Sequence, residues 1–236
     1  AAIAKFGGLG NYLANFQGMS FVMPRYSAYN VDSAGKAVMT VQGAWTQDSP
    51  FFDASRAGDN LLVRNRAAYT GPARRTGEAL MAIEPKDYTK ADTRAWQYLP
   101  GQRRVRLAPD IGHDTPNSST AGMSTYDDVL LFNGKLDRFD FKLVGKKEVY
   151  VPYNTYRFTY NDKPEEALQA RFVNPDVVRW ELHRVWVVDA TLKPSERHIY
   201  ARRTFYLDED SWTIDASDQY DGRGQLWRPG FSYVTQ

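Results

Sequence analysis

Four side chains stand where a metal site or an acid–base pair could be built: His113-Asp114 in a polar stretch, and Asp127-Asp128 further along it. Imidazole and carboxylate are the ligands a zinc-like cation takes, and a histidine beside a carboxylate can move protons. The chain has three histidines, His113, His183 and His198. None stands at H-x-x-x-H or H-E-x-x-H spacing, which would put two ligands on one helical face. His183 and His198 fall on strand positions expected to face solvent, and His113 on a turn. The chain has no cysteine, which excludes disulfides, thiolate catalysis and cysteine-ligated zinc or iron–sulfur sites. Ser118, Ser119 and Ser124 lie in polar loop sequence, outside any G-x-S-x-G elbow. There is no G-x-x-x-x-G-K-[ST] and no strand-linked G-x-G-x-x-G, and Gly222-Arg223-Gly224 reads as a hairpin turn. The expectation is a non-enzymatic protein without metal or cofactor. An enzyme working through His113, Asp114, Asp127 and Asp128 is the minor alternative.

The apolar residues carry a second chemistry, exclusion of water from a greasy ligand. Aromatic residues make up 14% of the chain. They can simply pack a core, or they can line a cavity for an acyl chain. In the first part of the chain the candidates for a cavity lining are Trp96, Tyr98, Phe141, Tyr150 and Tyr156. Later come Trp180, Leu182, Trp186, Val188, Phe205 and Trp212. Charge argues against nucleic acid as a partner, because 30 basic residues are balanced by 28 acidic ones and the formal net charge is only +2. The basic pairs Arg74-Arg75, Arg103-Arg104, Lys146-Lys147 and Arg202-Arg203 read as solvated strand faces that protect sheet edges.

These residues must be positioned by β-strands. In 179–192, Trp180, Leu182, Trp186, Val188, Ala190 and Leu192 fall on one parity, and Arg179, Glu181, His183, Asp189 and Thr191 on the other. Such period-two alternation marks a strand with one buried face. Further strands are expected over 198–207 and 212–220, separated by Asp208-Glu209-Asp210-Ser211. The run 95–107 folds back at Pro100-Gly101 as a hairpin. Strands are also expected over 21–31, 37–45, 61–70, 77–83, 137–143 and 146–160. Residues 1–17 have weak helical spacing interrupted by Gly7, Gly8 and Gly10, and read as a short helix or a loop. A helical turn is expected over 126–132 and a helix over 164–172, where Pro164 suits the first position. Phe51-Phe52 reads as an apolar plug within the loop 46–60. With no linker and no internal repeat, the chain reads as one β domain over 1–236.

Several blocks carry a family resemblance. Arg94 to Arg106, with its aromatic strand, Pro-Gly turn and Arg-Arg-Val return, resembles a hairpin of the LolA/LolB-like lipoprotein-sorting superfamily. Gly122 to Asp128, Phe205 to Trp212 and Tyr220 to Leu226 are similar to segments of outer-membrane lipoprotein-sorting relatives. The run Leu61 to Gln236, above all Phe139 to Glu148 and Trp180 to Val188, resembles the proteobacterial domain-of-unknown-function 1329 family. Members of that family are longer at both ends, so the chain reads as a fragment. The resemblance implies a mainly β fold, a curved antiparallel half-barrel with a few short helices over its concave face. It implies a Gram-negative periplasm, and a lipid, lipoprotein acyl chain or exported apolar compound as ligand. An inner-membrane exporter and an outer-membrane β-barrel protein are the partners it suggests. A packed adaptor of a transporter or outer-membrane assembly is the alternative.

Overall fold

The computed structural model describes residues 20–108, 114–161 and 163–235. They form two compact units. One holds 20–30 and 38–126, and the other holds 127–235 with the turn Val31–Ala37. The expected helix or loop over 1–17 lies outside the described residues.

The N-terminal unit is a six-stranded open sheet in the order β1-β2-β3-β4-β5-β6. Its strands are β1 (Phe21–Val31), β2 (Ala37–Asp48), β3 (Val63–Gly71), β4 (Ala79–Glu84), β5 (Arg94–Leu99) and β6 (Arg104–Leu107). The pairings from β2 to β6 are antiparallel. In β3 the period of two is plain: Val63, Asn65, Ala67 and Tyr69 are buried, while Arg64 and Arg66 are exposed. Val41, Ala67 and Tyr69 form the core of this unit, with Tyr26, Trp45 and Leu80 packed against them. Phe51 is 47% exposed rather than a buried plug. Gly43 of β2 is closely approached by β3. A Cβ there would stand 2.3 Å from the Ala68 carbonyl oxygen. The neighbour is backbone and cannot swing aside, so Gly43→Ala should destabilise the protein by roughly 1–3 kcal/mol, the range for overpacking. A urea denaturation midpoint unchanged by this substitution would refute the prediction.

The C-terminal unit is a five-stranded antiparallel open sheet in the order β11-β10-β9-β8-β7. Its strands are β7 (Phe139–Pro152), β8 (Trp180–Leu192), β9 (Arg202–Asp208), β10 (Ile214–Tyr220) and β11 (Leu226–Phe231). β7 runs unbroken where two strands were expected, because the extra residue Val144 is taken up in a bulge, with the next residue, Gly145, at φ +146° and paired to Val187. It stops at Pro152, so 153–160 is not strand; α1 (Tyr156–Thr159) is a single helical turn instead. α2 (Pro164–Ala167) is likewise one turn, shorter than the helix expected over 164–172.

The second half of β8, from Val185 on, is buried on both faces. Val188 and Ala190 join Phe132, Phe139, Phe205, Leu207 and Ile214 on one side. Val185 and Val187 join Val151 and Tyr153 on the other. Double-sided burial is why Val185-Trp186-Val187-Val188 is apolar without interruption. Each sheet keeps two outer strands, β1 and β6 in one, β7 and β11 in the other. Prolines stand in three of them, Pro24, Pro152 and Pro229.

Candidate ligand-binding face and its polar anchors

The even-numbered side chains of β8 share one face, and antiparallel register extends it across β7. Tyr150 stands opposite Leu182, Lys146 opposite Trp186, Leu143 opposite Val188 and Phe141 opposite Ala190. One half of this face is filled. Phe132 lies on it, with ring centroids 5.3 Å from Phe205 and 6.1 Å from Phe141. The other half is open. Tyr150 is 68% exposed, Leu182 54% and Trp180 39%. Trp180 meets Phe231 of β11 edge-on at 5.7 Å. Trp186 is half-buried at the border between the halves, with Trp212 stacked at 6.4 Å and the Lys146 ammonium 4.2 Å over its ring.

The structure thus separates the residues singled out from sequence. Val188 and Phe205 are buried in the packed half, and Phe141 and Trp186 pack against it. Trp180, Leu182 and Tyr150 form the open half. Trp212 is in a turn with φ +61°, not in a strand, and Tyr156 is on α1, stacked on Tyr160 at 6.4 Å. Trp96 and Tyr98 belong to the other unit, on β5, with the Arg94 guanidinium 5.6 Å from the Trp96 ring.

The filled half is fixed by a buried polar network. The segment Tyr126–Leu131 is a kinked 3-10 turn in which Leu130 and Leu131 take left-handed backbone angles, φ 54° and 66°. Such angles are strained for branched side chains. They aim the Leu131 carbonyl at Arg203, whose Nη2 donates to it at 3.0 Å. Arg203 is fully buried. It also donates to Asp127 Oδ2 at 2.9 Å and to Asp128 Oδ1 at 2.8 Å. Its Nε has no acceptor among the described residues, and the rings of Phe132, Tyr200 and Phe205 surround the guanidinium carbon at 5.2–5.4 Å. His198 Nδ1 accepts the Tyr200 backbone N–H at 3.0 Å, so the proton sits on Nε2, which donates to Asp127 Oδ2 at 3.0 Å. The Tyr200 hydroxyl donates to Asp128 and accepts from Arg228, each at 2.9 Å. Burial, then the Asp128 charge, pushes the Tyr200 phenol up to about 12. Asp127 and Asp128 are therefore committed to holding the fold. His198 and Arg203 are buried, which corrects the expectation that both face solvent; each is drawn inward by the acidic pair. Arg75 is also buried, paired to Glu78 at 3.1 Å. His113 lies outside the described residues. Among the described residues no cluster of His, Asp and Glu is placed to hold a metal ion.

A second buried cluster sits on the opposite face of the sheet. Asp208 closes the turn 208–211 by accepting the backbone N–H groups of Asp210 at 3.1 Å and Ser211 at 2.7 Å. Its other oxygen lies 2.6 Å from His183 Nδ1, and the His183 ring lies 4.1 Å from that of Tyr153. His183 is thus also turned inward rather than to solvent. Beside them is Asp215, the bulged residue of β10, fully buried and with no hydrogen-bond partner for either carboxyl oxygen among the described residues. Burial, followed by repulsion from Asp208, pushes its carboxyl up to about 8. Sequence reading missed Asp208, Asp215 and Arg203. The Asp-x-Asp-Ser turn was the only visible sign of the first.

Comparison with known proteins places this architecture. An uncharacterized protein of Pseudomonas aeruginosa, PA3922, is 46% identical over 181 residues, covering 75% of this chain and 39% of the relative. The chain thus spans well under half the length of that curated relative. A DUF1329 protein of Desulfovibrio piger superposes with a TM-score of 0.55 at 16% identity, covering 94% of this chain and 74% of the other. A domain of Vibrio parahaemolyticus, provisionally assigned to outer membrane lipoprotein sorting, superposes with a TM-score of 0.56 at 12% identity, covering 93% and 74%. At such identities these two structures establish the shared fold. The family profile described as protein of unknown function (DUF1329) matches residues 9–236, and the chain belongs to that family.

Proposed function

We propose that this chain is part of a periplasmic binding or carrier protein for a hydrophobic ligand, which it holds by its apolar sheet face rather than transforms. The observation that carries this is the open half of the β7–β8 face, where Tyr150, Trp180 and Leu182 stand exposed next to a packed aromatic core. Contiguous exposed apolar surface of this kind is a feature of binding sites. An acyl chain laid on it would gain about 0.8 kcal/mol for each methylene removed from water, with no specific polar contact needed. The ligand class is a lipid, a lipoprotein acyl chain or an exported apolar compound. The likeness of fold to the Vibrio domain supports the sorting or export setting. No helix among the described residues is long and apolar enough to cross a membrane. Handing cargo between an inner-membrane exporter and an outer-membrane β-barrel protein is the role proposed for the whole protein. A packed adaptor is the second reading, favoured by the half of the face that Phe132 already fills.

The test is native mass spectrometry of protein purified without detergent, before and after incubation with a bacterial lipid extract. The carrier reading expects a stoichiometric apolar adduct. Leu182→Asp should abolish the adduct while leaving the melting temperature nearly unchanged, because the side chain is exposed and changes at such sites stay within about 0.5 kcal/mol. An apo mass that lipid does not alter would favour the adaptor. Trp186→Asp should lose the adduct too, but at a cost in stability, since Trp186 packs against the core.

A further inference from the structure

The N-terminal unit carries a pocket of its own, with a volume of about 360 Å³. That is at the small end of ligand cavities. Its floor is a row of paired residues that crosses three strands, β4 to β6: Leu80 opposite Gln97, and Gln97 opposite Arg106. Paired residues share a face, so the row grades from apolar through amide to guanidinium. Tyr69 and Arg75 line it from one side and Tyr126 from the loop that follows β6.

The charges are unequal in their commitments. Arg75 is engaged by Glu78 and by the Ser118 carbonyl, at 2.8 Å, and it stacks on the Tyr69 ring at 4.5 Å. Arg106 is exposed at the open side and has no ion pair or hydrogen-bond partner among the described residues. The Gln97 side chain likewise has none among them. No aspartate or glutamate is among the described residues lining the pocket. With Arg75 balanced by Glu78, Arg106 is the charge that can draw an anion to the cleft. A guanidinium offers a planar fork that fits a carboxylate with two parallel hydrogen bonds.

We propose that this pocket binds a small amphipathic carboxylate, its apolar body over Leu80 and Tyr69 and its carboxylate held by Arg106 with Gln97 donating beside it. This site is separate from the β7–β8 face and does not rest on the carrier reading. The polar row at the floor is what distinguishes it from a site for a neutral lipid.

Octanoate titrated into the whole protein by calorimetry tests the proposal, with 1-octanol, octylamine and inorganic phosphate as comparison probes. Saturable one-to-one binding of octanoate is expected, with 1-octanol, octylamine and phosphate each at least about tenfold weaker, the loss expected for a charge-assisted hydrogen bond. Arg106→Gln should weaken octanoate to the level of 1-octanol. Arg104→Gln, a neighbouring exposed arginine that does not line the pocket, should leave it unchanged. Leu182→Asp should also leave it unchanged, which separates this site from the face on the other unit. The proposal is overturned if octanoate does not bind, if 1-octanol or phosphate binds equally well, if Arg106→Gln has no effect, or if Leu182→Asp abolishes binding.

Discussion

Replacing Arg203 with methionine should lower the melting temperature by on the order of 10 °C. The guanidinium neutralises two carboxylates held away from water, since Asp127 is 1% exposed and Asp128 12%. Removing one partner of a buried ion pair costs about 3–5 kcal/mol, because the stranded charge stays out of water. Arg203 also holds the Leu131 carbonyl. Without it the left-handed pair Leu130–Leu131 loses its restraint and Phe132 its seat on the β7–β9 face. Arg203→Lys should not rescue. An ammonium can satisfy one of the three acceptors well but cannot fork to all of them. Adding Asp127→Asn and Asp128→Asn to Arg203→Met should recover part of the loss by removing the stranded charges. Thermal melts followed by tryptophan fluorescence read this directly. A parent-like melt for Arg203→Met would show that the network is not what holds the filled half in place.

Asp215→Asn should have the opposite sign, and only at higher pH. The Asp215 carboxyl is pushed from an ordinary 3.8 to about 8, first by burial and then by Asp208. A group whose value is raised on folding adds stability that is complete below its unfolded value, near pH 4. That stability is lost as pH rises through the folded value, near 8. The parent should therefore weaken progressively between these limits, while the asparagine variant, which cannot ionise, should not. At about 1.4 kcal/mol per pH unit the gap at pH 9 amounts to several kcal/mol, and at pH 4 it vanishes. The charged and titratable groups acting with Asp215 are Asp208 from the end of β9 and Tyr153 from beyond β7, and His183 of β8 contacts Asp208 in turn. The Asp215 backbone carbonyl accepts the Ser232 N–H at 2.8 Å, so its ionisation also reaches the segment after β11. Exchange of the Ser232 amide should accelerate above pH 8 in the parent and not in the variant. Parallel stability curves for the two proteins from pH 4 to 9 would refute the assignment.

What could be read from the sequence was local. The alternation of 179–192 located strand β8, and Pro100-Gly101 located a hairpin, because both signals lie within a few residues of what they specify. Alternation, however, says nothing of partners. Arg203 looked like one half of a solvated basic pair because its acceptors are at 127, 128 and 131, in another segment. His183 fell on the polar parity of β8 and was assigned to solvent, yet that face is covered by Tyr153 and occupied by Asp208. Asp215 was hidden by a bulge, which breaks the parity rule at the residue where it matters most. The candidate lining was legible as a set of apolar residues. Its division into a packed half and an open half depends on where Phe132 lands, which two left-handed leucines decide.

The outer strands bear on how such a protein survives at high concentration. An unpaired strand edge is a template for another chain, and among the described residues the two sheets have four outer strands. Pro24 in β1, Pro152 in β7 and Pro229 in β11 each remove a backbone donor from an outer strand. β6 has no proline but carries Arg104 and Arg106, both exposed, whose charges repel a second copy of the same edge. Each rim is thereby made a poor match for itself. A protein with exposed tryptophan and leucine on one face thereby keeps that face from being joined by sheet growth at its edges.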